Sequence, residues 1–169
     1  MKKFVMVVVA LLFSFISVNT VFAAANTWTQ KADFGGGARM AGAFSIGSKG
    51  YMGGGSSYDS QTNTSTPYKD FWEYDPSLNF WTRKSDFRGK GRYTVASFTV
   101  GNKGYTGTGW DQRTPYYKDL WEYDPLTDAW TQKANFPGTA RQSAVGFAID
   151  NYGYLGTGHD GANKYDFWQ

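Results

Sequence analysis

Apolar and small residues run together in SAVGFAID (143–150), the pattern of a strand buried on both faces. DLWEYDP (119–125) instead alternates Leu120, Glu122 and Asp124 with Trp121 and Tyr123, a period of two. YGYLGTG (152–158) is rich in aromatics and glycine, and AWTQKANF (129–136) carries a further short strand. Asp-Pro, Gly-Asn-Lys-Gly and other glycine-rich punctuation separates such segments. Beyond the first 23 residues, no stretch longer than about ten follows a helical period. The pattern predicts an all-β chain of short antiparallel strands.

The same four-strand text recurs. Trp28, Trp81 and Trp130 open WTQKADF, WTRKSDF and WTQKANF, at spacings of 53 and 49 residues. Five residues after the phenylalanine of each segment stands Arg39, Arg92 or Arg141. Phe44, Phe98 and Phe147 follow, each seven residues before Tyr51, Tyr105 and Tyr154 in GYMGGG, GYTGTG and GYLGTG. Then come DFWEYDP, DLWEYDP and a third DFW at 166–168. Landmarks in one fixed order, about 50 residues apart, mark a tandem repeat, and four strands per repeat suit a β-propeller blade.

These residues resemble the kelch-repeat family and, through it, the propeller domain of galactose-oxidase-like proteins. The likeness rests on the glycines of 53–55, 107–109 and 156–158, on Tyr74 and Tyr123 before Asp-Pro, and on Trp81 and Trp130. It covers 26–169, and departs from the double glycine where Thr108 and Thr157 stand between glycines. It implies blades of four antiparallel strands at about 39–86, 92–135 and 141–169, with 27–34 as a lone fourth strand. Three blades are too few to close a ring, since propellers take four to eight. The expectation is either part of a longer propeller, incomplete at the C-terminus, or two copies forming a six-bladed ring. In that homodimer each N-terminal strand would complete the partner's last blade.

Composition changes this picture at the N-terminus. Lys2 and Lys3, an apolar run from Phe4 to Val18 and small residues at Val21 and Ala23 read as a signal peptide over 1–23. Cleavage is expected after Ala23 or Ala25. The run is short of the roughly 20 residues of a membrane span, so a periplasmic, secreted or cell-surface location is expected, with no membrane span after cleavage. Losing Lys2 and Lys3 lowers the formal charge from +3 to +1. No basic stripe remains for nucleic acid. The chain has no cysteine, so packing alone must hold the fold.

The recurring tryptophans are expected between blades, and Asp75 and Asp124 in turns. Arg39, Arg92 and Arg141 have two readings: ties between adjacent blades, or a ring of paired donors at the channel mouth able to hold a carboxylate. Variation lies in the loops between second and third strands, SSYDSQTNTSTPYK, WDQRTPYYK and HDGANKY. Variable loops on a constant scaffold are where binding resides. Tyr58, Trp110, Arg113, Tyr116 and His159 are the distinctive residues there. The expected binding site is Trp110, Asp111, Arg113, His159 and Asp160 with the three arginines.

Chemistry is thin. One histidine and no cysteine leave no metal site, no cofactor and no cysteine nucleophile, and they exclude the copper centre of galactose-oxidase relatives. The expected function is a non-catalytic module binding protein or glycan on the loop face. The alternatives are a sugar-acid-handling enzyme resembling periplasmic sialic-acid epimerases, with the arginines on the carboxylate, or a structural cell-surface component.

Overall fold

A computed structural model describes residues 26–36, 41–113 and 115–169, so the expected signal peptide over 1–23 and Arg39 lie outside the described residues. The chain divides into two compact units, Met1–Gln30 and Lys31–Gln169. In the first, residues 26–30 form no strand and Trp28 is wholly exposed. The expected strand over 27–34 is not formed: those residues carry no regular secondary structure.

The second unit is all-β. Strands β1 (Gly42–Ile46) and β2 (Lys49–Gly53) are followed by a hairpin, β3 (Ser56–Asp59) and β4 (Thr64–Pro67). Strands β5 (Phe71–Asp75) and β6 (Phe80–Lys84) then complete the first blade in the order β1-β2-β5-β6. The second blade contains β7 (Ala96–Val100), β8 (Lys103–Gly107), β9 (Leu120–Asp124) and β10 (Ala129–Gln132), again paired in chain order. The third has β11 (Val145–Ile149), β12 (Tyr152–Gly156) and β13 (Phe167–Trp168). Every pairing is antiparallel, giving the propeller-like pattern of about three blades. Among the described residues no helix is long and apolar enough to cross a membrane.

Local chemistry sets the turns. Two-residue turns join the first two strands of each blade, and their first residues, Gly47, Gly101 and Asp150, take φ of 56°, 57° and 53°. Asp75 Oδ1 accepts the N–H groups of Ser77 and Leu78, and Asp124 Oδ1 accepts that of Leu126. Both aspartates are turn-formers.

The recurring aromatics fill the spaces between sheets. Ile46, Tyr51 and Phe71 of the first blade meet Tyr123 and Trp130 of the second, with Phe87 from the crossing between them. Phe71 lies 4.7 Å from Tyr123 and 4.9 Å from Trp130, edge-on to both. Burying each such ring contributes roughly 2–3 kcal/mol. Trp130 also donates Nε1–H to the Ser85 carbonyl, as Trp81 does to Ala32. The next interface repeats the plan with Phe98, Phe136, Ala144 and Leu155.

Candidate functional site

The loops between second and third strands share one face with the crossings between blades. Gly55 N–H donates to the Arg92 carbonyl and Gly109 N–H to that of Arg141, each at 2.8 Å. Glycine suits this approach: at Gly109 φ is 96°, and a Cβ would stand 2.7 Å from the Tyr93 carbonyl oxygen.

Arg92 and Arg141 lie beneath this face, 2% and 1% exposed. Arg92 gives both prongs of its guanidinium to Asp119, Nε–H to the Lys90 carbonyl and Nη1–H also to the Thr108 carbonyl. Its guanidinium carbon lies 3.8 Å from the Tyr117 ring centre. Arg141 repeats the arrangement with Asp166, the carbonyls of Thr139 and Thr157, and the Phe136 ring. Burial pushes Asp119 up, but the hydrogen bonds from Arg92 and Trp121 outweigh it and hold the carboxyl below its ordinary value. Hydrogen bonds from Arg141 and Trp168 pull Asp166 down strongly. The donor pairs that a ligand carboxylate would need are given to the chain itself. Among the described arginines, the expected anion-holding ring is thus replaced by clamps that join the crossing to the third strand.

Three of the distinctive loop residues, Trp110, Tyr116 and His159, do lie close to one another in a row of rings. Trp110 exchanges backbone hydrogen bonds with Tyr93, and the two rings lie 5.9 Å apart. Tyr116 continues the row at 5.8 Å from Trp110 and 6.2 Å from His159 in the third blade. His159 Nδ1 accepts the Gly161 N–H at 3.3 Å. Asp111 is buried, with Oδ1 accepting the Arg113 N–H and Oδ2 the Tyr117 hydroxyl. Asp160 accepts from Lys164 and Thr139, contacts that bring its carboxyl down to about 2. Both carboxylates hold loops. Among the described residues no group of three His, Cys, Asp or Glu could hold a metal ion.

No family model matches the chain, and no curated protein matches it. Among solved structures it is similar to that of YjhT, with a TM-score of 0.70 and 20% identity over 79% of this chain. That likeness shows the fold alone. The chain spans about half of the YjhT chain, 49% of its length.

A cleft of about 640 Å³ opens on the loop face between the first two blades. Lys69, Arg88, Lys90 and Arg113 rim it, all exposed and without an ion pair among the described residues. Tyr117 and Trp121 line it, beside Arg92, Asp111 and Asp119. Arg113 also borders a neighbouring opening of about 400 Å³ with Trp110 and the β3–β4 hairpin. The corresponding cleft of the third blade places Pro137 and Thr139 where this one has Arg88 and Lys90. Sequence reasoning passed over Arg88 and Lys90 because it sought variation in the loops between second and third strands, one of which Lys69 closes. Aligning FRGKGR (87–92) with FPGTAR (136–141) exposes the signal: two cations that the repeat does not require.

Proposed function

We propose that this chain is an exported kelch-type propeller module that binds an acidic glycan, carboxylated or sulfated, in the cleft between its first two blades, without catalysis. The observation that carries this reading is a charge imbalance. Five cationic side chains line the cleft against two carboxylates, and both carboxylates are engaged within the chain. Clefts lined by one sign of charge concentrate oppositely charged ligands, and Arg88 and Arg113 offer paired donors to a carboxylate or sulfate. Tyr117 and Trp121 add aromatic surface for a sugar ring. An enzyme acting on a sugar acid is less well supported, because Arg92 and Arg141 are spent on Asp119 and Asp166.

Replacing Arg88 by Pro and Lys90 by Thr copies residues the third blade already carries at these positions, so the crossing should keep its path. Calorimetry against a carboxylated, a sulfated and a neutral oligosaccharide tests the reading. The expected result is binding of an acidic oligosaccharide that weakens as salt rises from about 0.02 to 0.15 M and falls at least about tenfold in the double variant, roughly 1.4 kcal/mol. Equal binding of the neutral sugar, or no binding of any acidic one, defeats it.

A further inference from the structure

We propose that the ligand of the cleft is a linear oligosaccharide joining an acidic sugar to a neutral one, and that the neutral sugar stacks on Trp110. This rests on the reading of the cleft as an acidic-glycan site and extends that site past Arg113. A change of chemistry along one strand carries it. β4 and the residue before it form a wall shared by two openings. Thr66 and Pro67 border the cationic cleft of about 640 Å³, and Asn63, Thr64 and Ser65 border the neighbouring opening of about 400 Å³. Arg113 lines both. A strand advances about 3.3 Å per residue, so the wall from Asn63 to Pro67 runs for roughly 13 Å, longer than one sugar ring.

The two openings offer different partners. The cleft holds Lys69, Arg88 and Lys90, which suit a carboxylate or sulfate. In the smaller opening Arg113 is the sole cation among the described lining residues. Asn63, Thr64 and Gln112 bring amide and hydroxyl groups there, and Trp110 brings an indole. A second acidic group would find no second cation. A ring of hydroxyls with one apolar face finds both kinds of partner it needs.

Blade packing does not require Trp110. The equivalent place after the glycines holds Ser56 in the first blade and His159 in the third, whereas the tryptophans between sheets recur. The indole is half-buried, with Tyr93 at 5.9 Å and Tyr116 at 5.8 Å. Both neighbours meet it at an angle, 57° and 59°, so neither stacks flat on its faces. The wall is also fixed within the chain. Ser65 N–H donates to Gln112 Oε1 at 2.9 Å, Gly55 N–H at the hairpin base donates to the Arg92 carbonyl, and Asp111 Oδ1 accepts the Arg113 N–H. A site held in this way loses less freedom when a ligand binds.

Calorimetry on the purified chain with three tetrasaccharides tests the proposal: one of uronic acid alone, one of N-acetylhexosamine alone, and one alternating the two. The wild type is expected to bind the alternating ligand at least about tenfold more tightly than either of the others. Trp110→Ser takes the residue of the first blade at this place and should keep the wild-type circular dichroism. It should reduce the alternating ligand to the affinity of the uronic-acid ligand, which itself stays unchanged. Asn63→Gly, at an exposed position whose φ of 53° glycine accepts, removes an amide from the smaller opening and should lower the preference at least about threefold. Equal affinity for the two acidic tetrasaccharides, or a preference that survives both variants, overturns the proposal and leaves the acidic-glycan reading of the cleft standing. A neutral tetrasaccharide bound as tightly as the alternating one, or no binding of either acidic ligand, overturns both.

Discussion

Arg92 and Asp119 form a two-pronged ion pair beneath the loop face, with the arginine sealed from solvent by Phe87 on one side and Tyr117 on the other. The pair joins the crossing that enters the second blade to the start of its third strand, and Arg141 with Asp166 does the same in the third. Removing one partner strands a buried charge. Arg92→Ala is therefore expected to cost roughly 3–5 kcal/mol. Arg92→Lys should recover little, because a single ammonium cannot replace two prongs and the contacts to the carbonyls of Lys90 and Thr108. Urea denaturation measures both, and a loss below about 1 kcal/mol for Arg92→Ala would show that the clamp is dispensable.

The same pairs set an acid limit. Asp119 and Asp166 have lowered pKa values in the folded chain. The stability they contribute is present above the ordinary aspartate value of about 3.9 and is lost as pH falls through the depressed folded values. The urea midpoint should thus change little from pH 7 to about 5 and drop below about 4. In a doubly substituted Asp119→Asn, Asp166→Asn chain the midpoint should be lower at neutral pH but fall less steeply in acid. Parallel curves for the two proteins would assign the acid limit to other carboxylates.

Burial separates one repeated aromatic from its exposed neighbours. Phe71 is 3% exposed and touches Tyr51, Tyr123 and Trp130, whereas Leu126, in the β9–β10 turn, is 82% exposed. Phe71→Ala should destabilise by roughly 3–5 kcal/mol, and Leu126→Ser should stay within about 0.5 kcal/mol. Thermal unfolding of the two variants beside wild type checks the contrast. Similar losses at both sites would mean that the first interface is not a packed core.

Repetition made the blades legible, because each landmark occupies the same register whenever it recurs. Trp81 and Trp130 stand opposite Tyr74 and Tyr123, and Phe44, Phe98 and Phe147 hold equivalent places on first strands. The arginines were harder to assign. Their spacing showed that they recur but not which way the guanidinium turns, and the partner of Arg92 lies 27 residues away at Asp119. The β3–β4 hairpin escaped notice because Ser56–Asp59 and Thr64–Pro67 lack the apolar alternation of a strand that faces a core. The cleft escaped because its cations come from separate segments, Lys69 before β5, Arg88 and Lys90 in a crossing, and Arg113 in a loop.

Thr108 and Thr157 replace the expected second glycine at a backbone position that glycine suits better. They take φ of 60° and 58°, and Gly54 at the corresponding place takes 68°. A β-branched residue in the left-handed region bears a cost of about 1–2 kcal/mol, part of which glycine returns through greater freedom of the unfolded chain. Thr157 is exposed, so nothing else is lost there, and Thr157→Gly should stabilise by roughly 0.5–1 kcal/mol. Thr108 is fully buried, and its side chain fills space beneath the face. Relief of strain at Thr108→Gly is offset by the small void it leaves, so that variant should gain nothing. Gly54→Thr runs the exchange backwards and should destabilise, because an added Cβ would also meet the Arg92 carbonyl oxygen at 3.2 Å. Urea midpoints should therefore rank Thr157→Gly above wild type, Thr108→Gly at or below it, and Gly54→Thr lowest. A Thr157→Gly chain less stable than wild type would mean that the threonine side chain contributes more than its backbone strain removes.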